Sequence, residues 1–192
     1  MTVTARSGRG AALTVLSPMP RLWAGPLRLI LYVRKLLGPS ADLRRMSFIH
    51  FAHWTVITAF PFQRRRARYA YLLFRSDFNG SWDEYIDAFS IVIPRRMVLI
   101  WGWSYGFPGA LPPAPFRAYI GRNDLPVDHY WAAYPESSVT EVTAALRVRD
   151  AYRARFGDLD PGAAPAHPAW PLFLHDVQGD LYTWEGDDDA AA

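Results

Sequence analysis

The sequence predicts an α+β domain: one antiparallel sheet with helices packed on one of its faces. Three observations carry this. Several segments rich in β-branched and aromatic residues are separated by turn residues. Two capping boxes, each a Ser followed three residues later by Glu, open amphipathic runs between those segments. The chain has 192 residues, 51% of them hydrophobic, and no cysteine, so it builds a packed core rather than a disulfide scaffold. A chain of this length buries roughly 70% of its unfolded surface.

Residues 1–19 read as a disordered leader. Residues 20–45 read as a helical extension, with a helix starting near Pro26 and ending at Gly38-Pro39-Ser40. That helix is apolar almost all round, with Arg34 and Lys35 at its C-terminal end, where the helix dipole favours cations. Residues 47–58 (SFIHFAHWTVIT) and 68–77 (RYAYLLFRSD) read as strands on either side of the Arg64–Arg66 loop. Asn79-Gly80 makes a turn. Ser81 and Glu84 then cap a helix to about Val92, with Trp82, Tyr85, Ile86 and Phe89 facing inward.

Residues 97–104 (MVLIWGWS) read as a third strand, and 105–116 as an irregular loop rich in Pro and Gly. Residues 127–134 (VDHYWAAY) read as a fourth strand. Ser138 and Glu141 open a second capped helix to about Phe156. The main domain is thus placed at 46–157. An extended proline-bearing arm at 158–185 follows, with a late strand or hairpin at 172–184, and then a disordered tail at 186–192. Strands with two interposed amphipathic helices fit a ferredoxin-like βαββαβ arrangement with an added N-terminal helix.

Strand alternation sorts the candidate functional residues. The sheet face away from the helices is expected to carry His50, Trp54, Tyr71, Arg75, Trp101 and Trp103. A pair from the fourth strand joins them, drawn from His129, Trp131, Tyr130 and Tyr134. Aromatic walls with a few convergent polar groups are the usual design of a small-molecule site. His50 would be a general base near neutral pH, with Tyr71 beside it. Arg75 would hold a carboxylate, enolate or phenolate. Trp54, Trp101, Trp103, His129 and Tyr134 would bind substrate. The same composition suits an interface between copies.

Charge narrows the partners. Residues 1–100 carry 15 basic and 5 acidic groups, whereas residues 101–192 carry 6 and 13. Self-association or docking explains this split better than nucleic acid, because no recognition motif accompanies the arginine run. Residues 22–37 are too short and too charged to span a membrane, but suit peripheral contact with an anionic one. No secretory signal is recognised at the start of the sequence, so a cytoplasmic protein is expected, with membrane association through residues 22–37. Five scattered histidines and no cysteine offer no metal site.

The segment Leu72–Phe89, together with His50-Phe-Ala-His-Trp54, Gly106-Phe-Pro-Gly109 and His129–Pro135, resembles a little-characterised bacterial family. That family is similar to the dimeric α+β barrel superfamily. The resemblance implies a homodimer or higher oligomer, and a cofactor-free monooxygenase or cyclase acting on a polyketide-like or aromatic substrate. Haem peroxidases of that superfamily carry a GxxDG motif. The nearest match, Ser76–Gly80, lacks its first Gly and the Asp in its place. A haem protein with His50, His53 or His129 as axial ligand is therefore the alternative reading. A non-catalytic assembly protein is the other.

Overall fold

A computed structural model describes residues 5–7, 9–38, 46–61 and 67–181. The arginine run at 64–66, the Pro39-Ser40 helix stop and the acidic tail lie outside the described residues. The chain divides into two compact units, residues 1–136 and 137–192.

The first unit is α+β. Strands β1 (Ala5–Ser7), β2 (Gly10–Met19), β3 (Ile49–Ile57) and β4 (Ala70–Asn79) form an antiparallel sheet in the order β1-β2-β4-β3. Helix α1 (Ala24–Leu37) connects β2 to β3. Strand β4 returns between them and pairs with both. The Asn79-Gly80 turn needs a left-handed glycine (φ 95° at Gly80) and leads into α2 (Trp82–Val92). The Ser81–Glu84 capping box opens α2 as expected: Ser81 Oγ accepts from the Glu84 N–H at 3.3 Å. Helices α3 (Pro94–Trp101) and α4 (Pro113–Asn123) follow.

One face of the sheet is buried. Leu13, Val15 and Met19 of β2 and Leu72, Phe74 and Phe78 of β4 join Leu27 of α1, Ile86 and Phe89 of α2, Met97 and Trp101 of α3, and Phe116 and Ile120 of α4 in a single core. The ring of Phe74 lies at its centre, 5.2 Å from both Trp54 and Trp101. The expected strands at 47–58 and 68–77 and the N-terminal helix are present.

In the first unit three expected elements differ. Residues 10–19 are not a disordered leader but β2. Their alternation of Leu13, Val15, Ser17 and Met19 faces the core, hidden in the sequence by small residues and Pro18. Pro18 is tolerated because that side of β2 is an edge: the Tyr105 N–H donates to the Pro18 carbonyl at 2.9 Å, and no ladder bond is lost.

The expected third strand at 97–104 is helical, because Ile93, Met97 and Trp101 are buried four residues apart while Val98 and Leu99 are exposed. Pro94 at the first helical position fixes the start. Residues 105–112 are irregular as expected, but Pro113 opens α4, so the loop is shorter than 105–116.

The expected fourth strand at 127–134 has no regular structure. It is tied down at each end: the Leu125 N–H donates to Thr14 O and the Arg9 N–H to Pro135 O, both at 2.7 Å.

The second unit is helical. The Ser138–Glu141 box opens α5 (Val139–Phe156), which packs on α6 (Trp170–Leu181). Tyr152, Phe156, Trp170 and Phe173 form its aromatic cluster, and Arg155 pairs with Asp176 at 2.8 Å. The expected strand at 172–184 is therefore a helix as far as Leu181, with Phe173 and Val177 buried at helical spacing. The expected extended arm contains a short 3-10 turn at Ala164–Ala166.

Candidate functional site

A bulge decides which residues of β3 face which way. Ile49 pairs with Phe78, but Phe51 pairs with Asp77, so His50 is an extra residue. The Ser76 hydroxyl fixes this place by donating to the Phe51 carbonyl at 2.9 Å. Beyond the bulge, Ala52, Trp54 and Val56 stand opposite Ser76, Phe74 and Leu72 on the helix-covered face. Phe51, His53 and Thr55 stand opposite Asp77, Arg75 and Leu73 on the open face.

The expected aromatic face is therefore not assembled. His53, rather than His50, is the cross-strand neighbour of Arg75. Trp54 faces the core. Trp101 is buried in α3, and the Trp103 indole donates to Leu99 O at 2.7 Å while its ring lies 4.4 Å from that of Trp23. Tyr71 and Arg75 do share the open face, with Tyr71 opposite Ile57 and Pro18. His129 and Tyr134 are exposed on the irregular 125–135 segment.

From that segment Tyr130 comes close to the charges of Arg75 and Asp77. Burial and the Asp77 carboxylate hold the phenol above its usual range, and Arg75 opposes them. Oδ1 of Asp77 is buried and has no hydrogen-bond partner among the described residues. What remains of the expected site is thus a polar cluster, Arg75, Asp77 and Tyr130, with His53 alongside.

A concave feature lies along β3, the end strand of the sheet, where residues of both its faces are reached. A cleft of about 640 Å³ opens between α1, β3 and α3. Helix α1 contributes Ile30, Leu31, Tyr32, Arg34 and Lys35; β3 contributes Ala52, His53 and Trp54. Ile93 and the α3 residues Arg96, Met97, Leu99 and Ile100 close the third side. Its size is that of a small-ligand site. The walls are aliphatic and aromatic, and among the described residues the charged side chains on them are the cations Arg34, Lys35 and Arg96. An anion beside such walls is screened less than in water, so the cations act on it more strongly.

Two nearby arginines serve structure instead. One nitrogen of Arg21 donates to both Thr58 O and Ala67 O, clamping the two ends of the β3–β4 connection. Arg28 donates to Val56 O at 2.9 Å and to Thr58 Oγ1.

The cleft was missed because its walls come from residues assigned to other roles. In the sequence Arg34 and Lys35 fit a dipole-matched helix end, and Met97–Ile100 fit a strand. The signals that point to it are an N-terminal helix apolar on two sides and Pro94 opening a helical repeat. Among the described residues no group of three or more His, Asp or Glu could hold a metal ion, and no helix is long and apolar enough to cross a membrane. No family model, curated protein or solved structure matches the chain.

Proposed function

We propose that the first unit binds a small amphipathic anion, an apolar body ending in a carboxylate or phosphate, in the cleft between α1, β3 and α3. The observation that carries this is the pairing of apolar walls with the cations Arg34 and Lys35 at the end of α1, with no carboxylate on the walls among the described residues. Each methylene buried there contributes about 0.8 kcal/mol, and the cations select the charged head.

Tailoring chemistry on an aromatic or polyketide-like acid, by a cofactor-free monooxygenase or cyclase, is carried by the same cleft. Its general base is then His53, the histidine at the border, in place of His50. The β2-α1-β3-β4 connectivity, with β4 central, supports a ferredoxin-like relationship. The open sheet face around Arg75 is where a second copy would pack in a dimeric barrel.

Calorimetric titration of the full chain with dodecanoate and with dodecanol tests the binding claim. The carboxylate is expected to bind at least about tenfold tighter, the worth of one charge-assisted contact of 1.5–3 kcal/mol. Equal affinity, or no binding of either, sinks the proposal. A haem reading is favoured by one observation: His53 borders the cleft together with cations suited to propionates. Reconstituted protein without a Soret band removes it.

A further inference from the structure

The outward face of α1 is apolar where a solvent-facing helix is ordinarily polar. Leu22, just ahead of the helix, and Leu29 and Leu36 within it follow one another at seven-residue steps and are 68%, 62% and 68% exposed. Tyr32, Val33 and Leu37 flank this stripe and are exposed too. The opposite face is already used, since Ala24 and Leu27 are buried and Leu31 packs against the core.

Cations lie along the flanks of the stripe: Arg28, Arg34 and Lys35 are the only charged residues of the helix. Residues 1–41 contain no Asp or Glu at all. The sign of this surface chooses its occupant. A second copy of this helix, whose charged residues are all basic, would offer Arg34 and Lys35 no carboxylate and would bring further cations to the interface. A bilayer bearing anionic headgroups reverses that repulsion into attraction, and accepts the leucines at the acyl boundary.

We infer that the outward face of α1 docks on an anionic lipid bilayer, with Leu22, Leu29 and Leu36 entering the interface and Arg34 and Lys35 reaching the headgroups. None of these leucines lines the cleft, whereas Arg34 and Lys35 border both surfaces, so the leucine variant is the one that tests docking apart from the ligand proposed there.

Sedimentation of the full chain with phosphatidylcholine vesicles, with and without phosphatidylserine, tests it. The chain is expected to sediment with the mixed vesicles and to be released by high salt. The double variant Leu29→Ser/Leu36→Ser changes only exposed positions. It should partition at least about tenfold less, the worth of burying one leucine. Arg34→Gln/Lys35→Gln should lose roughly fivefold per cation. Circular dichroism of each variant checks that the fold is kept. Failure to sediment with the mixed vesicles overturns the inference, as does unchanged partition of the leucine variant. A dimer in solution that the leucine variant splits also overturns it, by assigning the face to a second copy.

Discussion

Replacing Asp124 by Asn should stabilise the first unit near neutral pH and leave it unchanged in acid. Asp124 follows α4 and bridges to Val15 on the outer edge of β2. Its half-buried carboxyl is pushed by desolvation from its ordinary 3.8 up to about 6, against a hydrogen bond from the Thr14 backbone N–H that favours the charged form. The folded state thus holds this proton up to about pH 6, whereas the unfolded chain releases it near 3.8. Between those values the folded state binds more protons, so stability falls as pH rises.

The contribution is fully present below pH 3.8 and lost above about 6, the opposite of a salt-bridged carboxylate. A shift of about 2 pH units corresponds to about 3 kcal/mol at most. Partial exposure and solvent screening reduce that to about 1 kcal/mol. Asn keeps an oxygen to accept the Thr14 N–H and carries no charge. Urea denaturation should therefore give equal stabilities for both proteins near pH 3.5. Above pH 7 the variant should gain about 1 kcal/mol, or about 3 °C in melting temperature. The Leu125 amide, bonded to Thr14 O at 2.7 Å, should exchange more slowly in the variant above pH 7. A variant that is no more stable at neutral pH, or that differs equally at both pH values, refutes the reasoning.

Two further substitutions test the sheet. Ser76→Ala removes the bond to Phe51 O and leaves a carbonyl at the bulge short of its donor. It should cost about 2 kcal/mol by denaturation; a cost below about 0.5 kcal/mol would mean that the bulge holds without the hydroxyl. Phe74→Ala empties the centre of the core between Trp54, Phe89 and Trp101. It should cost about 3–5 kcal/mol in the same assay, and a loss below about 1 kcal/mol would contradict the packing described.

Local signals were legible in the sequence wherever one residue type has one dominant use. Ser81 with Glu84 and Ser138 with Glu141 marked two helix starts to the residue, because a hydroxyl and a carboxylate at that spacing satisfy the free N–H groups of a first turn. Strands β3 and β4 were legible from their β-branched and aromatic content.

Apolar runs without polar punctuation were not. MVLIW fits a buried strand as well as a helix, and only the placement of Ile93, Met97 and Trp101 against the core decides between them. The site depended on that decision, since a helical α3 supplies one wall of the cleft and removes Trp101 from any surface. A single inserted residue had the same reach. Counting by twos from His50 placed it beside Arg75, and the bulge at His50 gave that position to His53. No periodicity in β3 announces the bulge, because its anchor is Ser76 on the neighbouring strand.

Native mass spectrometry of the full chain with dodecanoate tests the central claim most directly, using Ala52→Phe as the partner measurement. Ala52 lines the cleft from β3, and a phenyl ring there projects into it and narrows it while suiting a strand. The expected result is one dodecanoate per chain in the native protein and a clearly smaller bound fraction in the variant. No adduct in the native protein, or the same adduct in both, would contradict the account.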